Sequence, residues 1–106
     1  MIEVIYCRSK HRLTVKGHAN SGEKGRDLVC ASASILAYTL ASFVTNLAES
    51  GQATAKVIKL KEGNAKVSCQ THARNEAAVT LAFDAICAGY DLLANSYPQY
   101  IHYEIV

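Results

Sequence analysis

The sequence has no closely spaced cysteine pair, almost no low-complexity stretch, a single proline and little net charge, and each deficit removes a class of function. Its four cysteines, Cys7, Cys30, Cys69 and Cys87, lie far apart, whereas a structural zinc site wants ligand pairs of the C-x-x-C kind. No metal and no cofactor is therefore expected. A net charge of +2, from 11 Lys and Arg against 9 Asp and Glu, is too slight to mark a binder of phosphate backbones. The basic residues are scattered along the chain rather than striped, so direct nucleic-acid contact is not expected. No stretch approaches the length of a membrane span, and no membrane partner is expected. The opening MIEVIYCRSKHRL lacks the charged start and long apolar run of a secretory signal; its hydrophobic residues alternate as in a strand. A cytoplasmic protein is expected, and in a reducing compartment its cysteines are free thiols.

What is present is a chain of 106 residues, half of them apolar, which suits one domain over residues 1–106 with one core. Ile2, Val4 and Tyr6 alternate with Glu3, Ile5 and Cys7 as a first strand. Arg8 to His11 make a polar turn, and Leu13, Val15 and Gly17 alternate with Thr14, Lys16 and His18 as a second strand, with His18 on the wetter face. A helix from Leu28 to Glu49 carries an apolar stripe of Val29, Ala33, Leu36, Leu40, Phe43 and Leu47, with Ala33, Ala37 and Ala41 keeping one side thin. Ser50-Gly51 ends it. Strands over 53–60 and 65–70 flank the turn Lys61-Glu62-Gly63-Asn64. Asn75 or Thr71 caps a second helix reaching about Asn95, with Leu81, Ala85, Ala88 and Leu92 on one stripe and Ala78, Ala82, Ile86 and Leu93 beside it. The lone proline, Pro98, stops it, and a last strand follows with Ile101, Tyr103 and Ile105 toward the core. The order ββα ββα β with tight connections predicts an α+β fold in which two helices cover a mainly antiparallel sheet.

The chemistry gathers in Gly17 to Ser34, GHANSGEKGRDLVCASAS. Asp27 is a good N-cap, which puts Cys30 in the first helical turn, where unpaired N–H groups and the positive end of the helix dipole favour a thiolate or an oxyanion. His18 lies across a polar loop containing Gly22 and Gly25, which with Asn20, Ser21 and Lys24 is pliable enough to bring an imidazole to the thiol. Lys24 and Arg26 are expected to be solvated charges on a loop long enough to act as an active-site lid, with Gly17, Gly22 and Gly25 as its flexible points. Asp27 has two readings, a cap for the Cys30 amide or an acid that orients His18. Ser34, one turn beyond Cys30, either steadies the thiol or substrate, or bonds back to the Cys30 carbonyl. His72 is a weaker competitor for the base, and His11 and His102 are expected to be solvated. Cys7, Cys69 and Cys87 are expected to be buried small hydrophobes.

The pattern Gly17-His18-Ala19, Gly22, Gly25, Asp27, Val29-Cys30-Ala31 and Ser34 resembles the signature of the Prp family, bacterial ribosomal-processing cysteine proteases. The resemblance implies that His18 and Cys30 are a catalytic pair. It also implies an endopeptidase that removes the short N-terminal extension of a large-subunit ribosomal protein after an apolar, aromatic-rich segment, and that works as a homodimer with a mobile loop. Two rival readings remain beside it: a non-catalytic ribosome-associated binding module with Cys30 merely buried, and a redox-sensing thiol protein.

Overall fold

A computed structural model describes residues 1–19 and 27–106. Five strands form one sheet: β1 (Ile2–Cys7), β2 (Arg12–Lys16), β3 (Ala53–Lys61), β4 (Asn64–Thr71) and β5 (Ile101–Ile105), in the spatial order β3-β4-β2-β1-β5. Two helices, α1 (Leu28–Glu49) and α2 (Glu76–Ser96), cover one face. All neighbouring strands are antiparallel except β1 and β5, which run parallel because α2 returns the chain across the sheet before its last strand. The fold is the expected α+β arrangement.

Period-two alternation explains the strands. Ile2, Val4 and Tyr6 of β1, Leu13 and Val15 of β2, and Ala65, Val67 and Cys69 of β4 all point to the helices and are buried. On α1 the buried side is Val29, Ala33, Ala37, Leu40, Ala41 and Val44, while Leu36, Phe43 and Leu47 of the expected stripe are half-buried. The alanines let the helix lie close on the sheet. Leu36 packs so tightly on α2 that a Cβ at Gly89 would stand 2.8 Å from its Cδ2.

The expected phase of α2 is overturned. Its buried residues are Val79, Phe83, Cys87 and Tyr90, whereas Leu81 and Leu92 are 71% and 68% exposed, and Ala78, Ala85 and Ala88 are exposed with them. Alanine is apolar on any face and does not fix a phase; the two large aromatics, Phe83 and Tyr90, do, because each buries far more area. The Tyr90 hydroxyl donates to the Ala33 carbonyl across the helix pair at 2.8 Å. Asn75 occupies the N-cap position without a side-chain capping bond, its amide instead donating to the Gln52 carbonyl at 3.1 Å. Ile105, expected in the core, is 59% exposed at the end of β5.

Two further expectations change. Both helices are long and apolar enough, by length and composition, to cross a membrane, although each lays a face on the sheet. Span length was missed because serines, threonines and asparagines break the apolar runs without lowering the average far. The basic residues are not scattered in space either. Cross-strand register sets Lys59 opposite Lys66, Lys66 opposite Thr14, Arg12 opposite Ser68, and Lys16 and Lys61 opposite Asn64, so five cations share the helix-free face of β3, β4 and β2.

Candidate active site

The β2 strand ends at Lys16, and Gly17 follows with φ of 100°, a left-handed conformation that breaks the alternation. A side chain there would run into the Met1 carbonyl oxygen. The turn carries His18 to the helix-covered side of the sheet end, not to the open face that strict alternation requires. There it lines a cleft of about 680 Å³ together with Cys30, Asp27 and Ser34 of the α1 start, Tyr38 further along α1, and the β3–β4 turn. His18 is exposed and Cys30 half-buried. The end of one strand and the start of the next helix thus present His18 and Cys30 to one space.

Asp27 caps α1. Its Oδ1 accepts from the Val29 amide at 3.1 Å and from the Cys30 amide at 3.0 Å, while its carbonyl accepts from Ala31 at 3.0 Å. These bonds occupy the Val29, Cys30 and Ala31 amides of the helix start, where the sequence places donors for an anion. The donor beside the sulfur is another one: the Ala19 N–H points at Cys30 Sγ at 3.3 Å. No hydrogen bond joins His18 to Cys30 among the described residues. In a substrate-free site such bonds are often long and tighten only when the reacting group arrives.

Ser34 lines the cleft, and among the described residues its hydroxyl makes no bond to the Cys30 carbonyl, although Ser32, Thr39 and Thr45 of the same helix each bond back by one turn. Gly22, Gly25, Asn20, Ser21, Lys24 and Arg26, the remainder of the expected lid, lie outside the described residues.

The other candidates are placed elsewhere. His11, expected in solvent, is 5% exposed, meets Thr80 Oγ1 at 2.7 Å and packs edge-on against Phe83. Its left-handed φ of 45° turns the side chain inward. His72 lies within 3.2 Å of the Gly51 carbonyl, away from the cleft, and His102 is exposed. All four cysteines are free thiols; Cys69 and Cys87 are buried and Cys7 is half-buried. Burial pushes the Cys87 thiol from its ordinary 9.0 up to about 12. Burial also raises Cys69, so both are held protonated. No group of three or more metal-ligating side chains gathers among the described residues.

Sequence reasoning missed three contributors: the Ala19 amide, Gly63 of the β3–β4 turn, and Tyr38, which is 50% exposed beside the cleft. Only the hairpin turn had a signal, Glu62-Gly63 between two strands, and that signal says turn, not which cleft the turn borders.

Residues 1–102 match the family model described as Cysteine protease Prp. The chain belongs to that family. It is 33% identical over 98 residues to the Ribosomal processing cysteine protease Prp of Mycoplasma pneumoniae, an alignment spanning 91% of this chain and 88% of the relative. In fold it matches the crystal structure of the essential ribosomal processing protease Prp from S. aureus in complex with a covalently linked product peptide, with a TM-score of 0.74 at 18% identity, covering 99% of this chain and 97% of that one. A second match is the crystal structure of the SMU.848 protein from Streptococcus mutans, with a TM-score of 0.67 at 26% identity, covering 99% of this chain and 91% of that one. The Prp family is one of cysteine peptidases, and this chain is accordingly a peptide hydrolase of the cysteine-protease class.

Proposed function

We propose that Cys30 is the nucleophile and His18 the general base of an endopeptidase that removes the N-terminal extension of a large-subunit ribosomal protein. One observation carries this: His18, from a strand end, and Cys30, from the first turn of a helix, line the same open cleft, with an amide aimed at the sulfur. The helix start favours the thiolate, and the Ala19 N–H stabilises negative charge on Sγ. The thiolate attacks the scissile carbonyl, and the tetrahedral oxyanion forms beside the Ala19 donor. Collapse breaks the C–N bond, His18 gives its proton to the leaving amine, and a thioester remains. His18 then takes a proton from water, whose hydroxide oxygen attacks the thioester and releases the acid and the thiol.

The cleft supports a peptide occupant. Its floor is apolar, from Val15, Ala33, Ala37 and Ala65, and Tyr38 stands at one side, a surface that accepts the aromatic-rich segment preceding the cut. Ser34, which lines the same cleft, is proposed as a substrate contact. A cytoplasmic location is proposed with this function, because a ribosomal-protein precursor is the proposed substrate. A homodimer is proposed as well, because the edge strand β3 exposes Ile58 and Leu60 and α1 exposes Ile35 beside Tyr38.

The test is incubation with a synthetic peptide of the extended ribosomal protein N-terminus, followed by mass analysis of the products. Cys30→Ala and His18→Ala are each expected to abolish cleavage while the far-ultraviolet circular dichroism and thermal midpoint stay near those of the parent. Full turnover by Cys30→Ala would overturn the mechanism.

A further inference from the structure

Gly63, in the tight turn between β3 and β4, has φ of 73°, and its Cα faces the His18 ring rather than solvent. A Cβ built there would stand 2.6 Å from His18 Nε2, 3.0 Å from Cε1 and 3.4 Å from Cδ2, so a single methyl group would claim the volume now filled by the distal edge of the imidazole. The same residue holds the backbone that carries the ring: the Gly17 N–H donates to the Gly63 carbonyl at 2.9 Å. Turn and ring are therefore tied together, with the carbonyl of Gly63 anchoring the amide of Gly17, the residue before His18, and its bare Cα forming the seat on which the ring rests.

We propose that Gly63 is a positioning residue for His18, its missing side chain being the seat that sets where the imidazole lies in the cleft. The proposal rests on His18 being the catalytic base. The β3–β4 hairpin, which contributes none of the proposed reacting groups, thereby controls the placement of one of them. Substitution at position 63 acts on the rate through the ring and leaves the nucleophile in place.

A matched control exists in the same chain. Gly51 also has φ of 73°, but a Cβ there meets nothing within 4 Å, so Gly51→Ala reports the backbone strain of alanine in this conformation without a clash. Three measurements on Gly63→Ala, Gly51→Ala and His18→Ala decide the matter: kcat and KM for the extension peptide, the pH profile of Cys30 alkylation by iodoacetamide, and the imidazole carbon–proton resonances of His18 with the exposed His102 as reference. Gly63→Ala is expected to lower kcat by up to on the order of 10²-fold, the size of effect that a misplacement of about 1 Å produces. It should also displace the His18 resonances and move the alkylation profile toward that of His18→Ala. Gly51→Ala should share its loss of thermal stability and none of these three changes. The proposal is overturned if Gly63→Ala matches Gly51→Ala in rate and in His18 resonances, or if it raises KM alone, which would make Gly63 a wall of the substrate groove. Wild-type turnover by His18→Ala would instead remove the dyad, and with it the catalytic use of the seat, even where the ring shift showed that the seat itself is real.

Discussion

Replacing Asp27 by asparagine keeps an N-cap acceptor but removes the carboxylate, whereas alanine removes both and is expected to cost roughly 0.5–2 kcal/mol of stability. The two amide bonds that Oδ1 accepts, from Val29 and Cys30, assign the capping work to Asp27 directly. Asp27→Asn is therefore expected to keep its thermal midpoint and most of its cleavage rate. A folded Asp27→Asn with turnover down by orders of magnitude would instead give the carboxylate the part of a triad acid. The thiols offer a second comparison at this scale. Iodoacetamide at neutral pH should label Cys30 first, because it alone sits at a helix start with an amide turned to its sulfur, while burial keeps Cys69 and Cys87 protonated and covered. Peptide mapping checks the order, and the preference should weaken in His18→Ala. Equal labelling of all four cysteines would remove the physical basis for an activated thiolate.

The elements differ in how far the sequence betrays them. The bounds of α1 were fully legible, since a capping aspartate, a 3–4 apolar rhythm and a closing Ser-Gly agree on both ends. The packing phase of α2 was not, because a helix with nine alanine and leucine positions around its circumference offers more than one apolar stripe, and only volume decides among them. Phe83 is fully buried, stacks on Tyr6 and meets the His11 edge, so Phe83→Ala is expected to lose about 3–5 kcal/mol, whereas Leu81→Ala on the exposed side should stay within about 0.5 kcal/mol. Denaturant midpoints for the two variants test the phase; equal losses would contradict it. In the candidate site, the Asp27 cap was legible from local pattern, and the motif named the His18 and Cys30 that line the cleft. The Gly63 seat and the Ala19 donor were not, because they depend on which turn folds against which strand end.

At the scale of the whole molecule the strand order and the charged open face arise only from long-range pairing, which no local pattern encodes, yet the same pairing also buries a set of acids in their neutral form. Burial drives the Tyr90 phenol well above its ordinary 10.0, and the bond it donates to the Ala33 carbonyl requires the proton. Burial likewise raises Tyr6, Tyr103, Cys69 and Cys87, the last from 9.0 to about 12. Each is an acid whose folded-state pKa exceeds its unfolded value, so the folded chain keeps protons that the unfolded chain gives up as the pH passes through the ordinary thiol and phenol ranges. Stability is thus full below about pH 8.5 and declines as the pH rises toward 12, the value for the buried Cys87. Tyr90→Phe separates the terms. It removes one hydrogen bond and should cost about 0.5–1.5 kcal/mol at neutral pH, but it also removes one titrating group, so its stability should fall less steeply than that of the parent above pH 10. Denaturant unfolding at a series of pH values from 7 to 11 measures both slopes. Parallel curves for the two proteins would show that Tyr90 does not hold its proton more tightly in the folded state.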